Sequence, residues 1–132
     1  MPKRMVIPSS LDACRKVEDQ LLGEVLGHGF SEAATFAIRL ALEEGLNNAI
    51  RHGNAYDASK TVEVCYEVDH HRAAITITDQ GRGFDPGAVP DPTADENIEK
   101  PCGRGIMLMR AFMDEVSFSE RGNQVHLVKR ND

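Results

Sequence analysis

Between Arg51 and Val62 the recurrence of apolar residues changes from helical to alternating, and no other feature of the chain constrains its fold as tightly. Upstream, Leu11, Cys14, Val17, Leu21, Leu22 and Val25 recur at the spacing of one helix face. Ser9 or Ser10 is placed to cap that helix, and Gly27 and Gly29 are placed to end it. A second helix is expected from Ala33 to Arg51, capped by Ser31 and interrupted by a single glycine, Gly45; Phe36, Ala37, Leu40 and Ala41 read as its inward stripe. Downstream, Val62, Val64, Tyr66 and Val68 alternate with Thr61, Glu63, Cys65 and Glu67, and Ile75 and Ile77 continue one face to Asp79. His70 and His71 fall at the turn between these strands. Residues 4–8 form a short first strand ended by Pro8, an apolar helix runs from Ile106 to Met113, and Glu115–Ser119 and Gln124–Lys129 pair around Arg121-Gly122-Asn123. Short hairpins with long helices before and between them predict an α+β two-layer sandwich with helices on one face of the sheet.

The 132 residues, 41% of them hydrophobic, suit one domain over 1–132 with one core. A formal charge of -6 opposes broad attraction to nucleic acid or an anionic membrane, so no direct nucleic-acid partner is expected. No apolar run approaches the roughly 18 residues of a membrane span. The polar start MPKRMVIPSS lacks the apolar centre of a secretory signal, which together with the missing span predicts a cytoplasmic protein. Cys14, Cys65 and Cys102 are too far apart in sequence to suggest a disulfide framework or a close zinc-ligand pair, and are expected to be reduced.

The second helix ends in the densest polar stretch of the chain, Glu43-Glu44-Gly45-Leu46-Asn47-Asn48-Ala49-Ile50-Arg51-His52-Gly53. Glu44, Asn48 and His52 are spaced by four and share one helical face continuing from Leu40. A carboxylate and a carboxamide at the end of an inward stripe need compensation for lost solvation. Magnesium offers it, since it takes oxygen ligands from a protein amide together with nucleotide phosphates and water. Asn48 can ligate it without adding negative charge, and Glu44, one turn away, can accept a proton from a hydroxyl or water nucleophile. The same spacing also suits a capped, partly solvated helix end.

Two glycine clusters follow. In Asp79-Gln80-Gly81-Arg82-Gly83-Phe84, Asp79 can accept a hydrogen bond from an exocyclic amine such as that of adenine, and Gly81 lets the backbone approach a flat ring. Tight turns and calcium loops use similar runs, but the acidic spacing of an EF-hand is missing. Gly103-Arg104-Gly105 stands immediately before the helix at Ile106, where exposed amides and small residues suit phosphate oxygens and Arg104 can add positive charge. There is no Gly-x-x-x-x-Gly-Lys-Ser/Thr run, and the Asp79 cluster lacks the third glycine and following helix of a dinucleotide-binding unit. The segment between the clusters exceeds ordinary connection lengths; it reads as an active-site lid or a disordered excursion, and the flanking glycines favour the lid, at about residues 85–102. Helix end, strand end and helix start can together surround one nucleotide.

These three ordered motifs resemble those of the GHKL ATP-binding superfamily, and among its members most resemble the bacterial anti-sigma-factor serine/threonine-protein kinases. Glu44 to Gly53 is similar to that branch's N-box, Asp79 to Phe84 to its Asp-x-Gly-x-Gly-Phe box, and Gly103 to Met109 to its later Gly-Arg-Gly motif. The resemblance implies a Bergerat ATP-binding fold, with a mixed, mainly antiparallel sheet under the helices and a lid over ATP and Mg2+. It implies Glu44 as general base, Asn48 as magnesium ligand, Asp79 as adenine reader, Gly81 and Gly83 at the ring and lid, and Gly103 and Gly105 at the phosphates; His52 and Arg104 lie within the nucleotide motifs. It further implies a homodimer that binds a sigma factor and phosphorylates a serine of a STAS-domain antagonist. A nucleotide-dependent regulatory binding module, a GHKL ATPase and a detached histidine-kinase catalytic domain are alternatives that share the nucleotide residues. One departure is Gly122-Asn123-Gln124, where many relatives begin the last strand with Gly-Thr, and this puts one peripheral nucleotide contact in question.

Overall fold

In the computed structural model of the chain, residues 2–55, 57–81, 101–119 and 122–131 are described, with the backbone alone for His52 and residues 101–105. The elements are β1 (Lys3–Pro8), α1 (Leu11–Gly27), α2 (Glu32–Asn47), a π-helical segment (Asn48–Gly53), β2 (Thr61–Val68), β3 (Arg72–Thr78), α3 (Pro101–Phe112), β4 (Glu115–Phe118) and β5 (Gln124–Arg130). The strands form one sheet in the order β1-β2-β3-β5-β4, and all four pairings are antiparallel. The expected helix-covered, mainly antiparallel sheet is therefore present. No described helix is long and apolar enough to cross a membrane.

Register follows from the alternation of apolar side chains. Met5 faces Val64, Val64 faces Ile77, Ile77 faces Val125 and Val125 faces Phe118, which makes one row across the inner face of the sheet. Tyr66, Ile75, Leu127 and Val116 make the next. A one-residue slip would turn both rows to the outer face. On α1, Cys14, Val17, Leu21, Leu22 and Val25 are buried against this surface, while Leu11 at the helix start is exposed. Ser10 occupies the cap position of α1 without a side-chain cap bond, whereas the Ser31 hydroxyl does accept from Ala34 N–H at 3.0 Å.

The inward face of α2 differs from the expected stripe. Ala34, Ala37, Ile38, Ala41, Leu42, Gly45 and Leu46 are buried, Leu40 is intermediate, and Phe36 is 56% exposed. Phe36 lies over α3 at the sandwich edge, its ring 6.0 Å from that of Phe112 in an edge-on pair. Gly45 lets α2 approach the sheet closely, since a Cβ there would lie 2.6 Å from Ile77 Cδ1 and 3.9 Å from Leu127 Cδ1. α3 begins at Pro101, five residues ahead of the expected start at Ile106, with proline in the first-turn position it suits best. β4 forms one edge of the sheet, and β5 lies between it and β3. The end of β3, the starts of β2 and β5, and the π-helical segment therefore gather at one end of the sandwich.

Candidate functional site

The second long helix does not remain α-helical to Arg51. It widens at Asn48, and the Asn54 N–H reaches back five residues to the carbonyl of Ala49 at 2.8 Å. Wide turns of this kind recur at functional sites because they displace a few residues from the helical register. Here Glu44 and Asn48 retain their one-turn relation at the α2 end, while the chain from Arg51 to Gly53 is carried against the end of β3. A Cβ on Gly53 would fall within the Asp79 carboxyl group, and one on Gly81 would overlap the Gly53 carbonyl. The helix end and the Asp79 cluster, separate in sequence, are in direct contact.

Glu44 and Asn48 are each partly buried. Burial raises the Glu44 pKa above its ordinary value, the neighbouring Glu43 carboxylate adds to the rise, and Arg51 opposes it. A carboxylate made more basic in this way is suited to accepting a proton. Asp79 sits at the end of β3, 8% exposed, and its Oδ1 accepts the Gly81 N–H at 2.8 Å. α3 packs on α2 and on the π-helical segment. Phe112 lies beside Phe36 near the start of α2, while a Cβ on Gly45 near its end would lie 3.8 Å from Met109 Sδ. The two helices therefore run antiparallel, and the start of α3, which holds the backbone of Gly103, Arg104 and Gly105, points toward the Asn48 end. These glycines lie inside the helix rather than ahead of it as expected; Gly103 is in the first turn, whose amides lack intrahelical partners, and Gly105 is already past it.

The donor set fits a nucleotide carrying magnesium. Asn48 offers one neutral oxygen, Glu44 a basic carboxylate and Asp79 a buried acceptor, and the first-turn amides of α3 suit anionic oxygens. Magnesium commonly keeps waters and phosphate oxygens beside one or two protein ligands, and among the described residues no group of three His, Cys, Asp or Glu side chains forms a protein-only cage. Gly83 and residues 85–100 of the expected lid lie outside the described residues, as do the side chains of His52 and Arg104; residues 101 and 102 begin α3.

Two asparagines absent from the sequence-based site are central to its frame. Asn54 is 0% exposed; its Nδ2 donates to Ser9 Oγ and to the Thr61 carbonyl, both at 2.9 Å, and its Oδ1 accepts the Gln80 N–H at 2.8 Å. Asn123 accepts the Asp79 N–H on its own carbonyl at 2.9 Å, and its Nδ2 donates to the Asp79 carbonyl at 3.2 Å. Gln80 Oε1 accepts the Thr61 N–H at 2.7 Å, so side-chain amides link the ends of three strands. Proximity of Asn54 to the His52-Gly53 motif was the available signal for the first; Asn123 was visible only as a departure from Gly-Thr.

A sandwich of this topology, with a polar helix end, an acidic strand end and a glycine-bearing helix start at one edge, is an ATPase-type nucleotide domain. The chain belongs to the histidine kinase-like ATPase domain family, whose profile matches residues 7–129. It is a GHKL domain related to the anti-sigma-factor serine/threonine kinases. Serine-protein kinase RsbW of Staphylococcus epidermidis is 30% identical over 135 aligned residues, covering 95% of this chain and 84% of that protein. Anti-sigma F factor of Anoxybacillus flavithermus is 32% identical over 98, covering 70% and 66%. The crystal structure of the RsbU and RsbW domains of Rv1364c from Mycobacterium tuberculosis superposes over 99% of this chain with a TM-score of 0.66 and 17% identity, a likeness of fold; the match spans 32% of that longer chain.

Proposed function

We propose that the chain is a Mg-ATP-dependent serine/threonine-protein kinase that acts as an anti-sigma factor, phosphorylating a serine of a STAS-domain antagonist in a partner-switching system. The observation that carries the reading is the partly buried Glu44, made more basic by its surroundings, one turn from Asn48 and on the same helix as the Gly53 contact to Asp79. Kinship to proteins named as serine-protein kinase and as anti-sigma factor supports it. The working unit is a cytoplasmic homodimer that also binds the sigma factor.

In this reading Asp79 accepts the adenine amine, Gly81 and Gly83 admit the ring and the lid, and His52 supports the nucleotide motif. Gly103, Arg104 and Gly105 hold the phosphates, and the part of the expected lid ahead of α3, residues 85–100, covers them. Asn48 holds magnesium, which when bound offsets charge on the phosphate oxygens. Glu44 takes the proton of the incoming serine hydroxyl as its oxygen bonds to the terminal phosphorus and the bond to the departing ADP breaks. Incubation with labelled ATP and a STAS-domain protein is expected to yield phosphoserine on that partner. Nucleotide-dependent binding without transfer, or phosphate release alone, would replace the kinase assignment with a binding module or an ATPase.

Two further results are expected. Asn48→Ala should weaken ATP binding in magnesium by about tenfold or more, while binding in excess chelator stays near wild type; the ratio is read by calorimetry, and an unchanged ratio removes Asn48 from the metal. Glu43→Gln should lower the Glu44 pKa by removing a like charge, moving the acidic limb of the pH-rate profile to lower pH. Arg51→Gln should move that limb to higher pH, since Arg51 favours the carboxylate. Limbs that coincide with wild type in both variants would show that the titrating group is not Glu44.

A further inference from the structure

The peptide joining Asp79 to Gln80 is held at both ends by asparagine side chains. Its carbonyl accepts from Asn123 Nδ2 at 3.2 Å, and its N–H donates to Asn54 Oδ1 at 2.8 Å. The Asp79 N–H is held as well, by the Asn123 carbonyl at 2.9 Å, and its Oδ1 accepts from Gly81 N–H at 2.8 Å. Main chain and carboxylate of this one residue are thus fixed together, at the position where β3 leaves the sheet.

Both asparagines are themselves anchored. Asn54 bonds Ser9 and Thr61 through Nδ2 and is fully buried, so it ties the start of α1 and the start of β2 to the Gln80 amide. Asn123 Oδ1 accepts from Ser119 Oγ at 3.2 Å across the turn before β5. Ordinary strand pairing would be served by the main-chain bond from Asp79 to Asn123 alone. The two added side-chain bonds act on the next peptide, beyond the last paired residue of β3, where they set the direction of the Asp79 side chain rather than the sheet.

We propose that Asn54 and Asn123 are positioning residues that aim the Asp79 carboxylate at the exocyclic amino group of a purine, and that this clamp sets the preference for a 6-aminopurine over other purines. The proposal rests on the assignment of Asp79 as the base reader. A buried acceptor rejects a ligand lacking its donor by a large factor, but only while the acceptor is held in place, because small misplacements at such sites are costly.

The test compares equilibrium binding of ATP with that of purine riboside triphosphate, which carries hydrogen in place of the 6-amino group, for wild type, Asp79→Asn, Asn123→Asp and Asn54→Asp, with the melting temperature of each. Asn123→Asp keeps size and loses the donor to the Asp79 carbonyl. Its ATP affinity is expected to fall by about tenfold or more while its affinity for purine riboside triphosphate changes by less than about twofold, collapsing the ratio of the two. Should Asn54→Asp fail to fold, Asn123→Asp carries the test, because Asn123 is only partly buried. Retention of the wild-type ratio in Asn123→Asp overturns the proposal, and so does a parallel loss of both ligands, which marks a purely structural role. If wild type and Asp79→Asn show the same ratio, the base-reading assignment fails first and the clamp with it.

Discussion

Glu44→Gln is expected to reduce phosphoryl transfer by about 10²–10⁴-fold, the usual worth of a positioned base, while ATP binding stays within about threefold of wild type. The substitution keeps the shape of the side chain and removes its proton affinity. Its effect on stability has the opposite sign from that of most substitutions at a buried polar position. Because the Glu44 pKa is raised in the folded chain, the stability linked to its protonation is present at low pH and is lost as pH rises through the folded value. At neutral pH the ionised side chain therefore opposes folding, and a neutral isostere relieves it. The melting temperature of Glu44→Gln should equal or exceed that of wild type, a conflict between stability and activity expected of catalytic groups. Single-turnover transfer, calorimetric ATP binding and thermal melting on one preparation separate these effects. Wild-type transfer by this variant would remove Glu44 as the base; loss of ATP binding would instead make it a ligand-holding group.

Alternation along β2 and β3 made the sheet legible because each apolar residue reports its own face, and the inner rows through Val64, Ile77 and Val125 follow directly. Helix phase was less legible. Helical spacing places Phe36 in the inward stripe with Ala37, Leu40 and Ala41, yet on α2 the buried face runs through Ala34, Ala37, Ala41 and Gly45, the last of which allows close approach to the sheet, and the bulky ring is left at the edge with Phe112. The spacing of Glu44 and Asn48 could be read because it lies within one regular turn. The wide turn after Asn48 could not, since its wider hydrogen-bond pattern goes with the contacts of Gly53 with Asp79 and of Asn54 with Ser9, Thr61 and Gln80, of which only Thr61 is near in sequence. Asn123 was hidden for the same reason. Its donor acts 44 residues away, on a peptide brought beside it only when β5 inserts between β3 and β4.

Among the glycines whose surroundings are described, Gly81 is expected to be the one least tolerant of Ala, because the added Cβ meets backbone and not a movable side chain. It would overlap the carbonyl of Gly53, which the wide turn holds in place, with Asn54 next in the chain fixed to Ser9, Thr61 and Gln80. Relief requires moving that turn or the Asp79 loop, and either movement breaks bonds of buried groups. Overpacking of this kind costs about 1–3 kcal/mol, which for a domain of this size lowers the melting temperature by about 4–11 °C. ATP affinity should fall as well, by about 100-fold, because Asp79 and the Asn48 end of the helix are displaced together. Gly53→Ala provides the contrast: its Cβ meets the Asp79 carboxyl group, a side chain able to rotate away. That variant should melt closer to wild type while losing base discrimination, since the rotated carboxylate no longer holds its bond to Gly81 N–H. Thermal melting and ATP binding of the two variants order the effects, with Gly81→Ala losing more stability and Gly53→Ala losing specificity at a smaller thermal cost. A Gly81→Ala protein that melts with wild type and binds ATP equally would mean that the helix end and the strand end are not in contact, and the shared site built on that contact would fall.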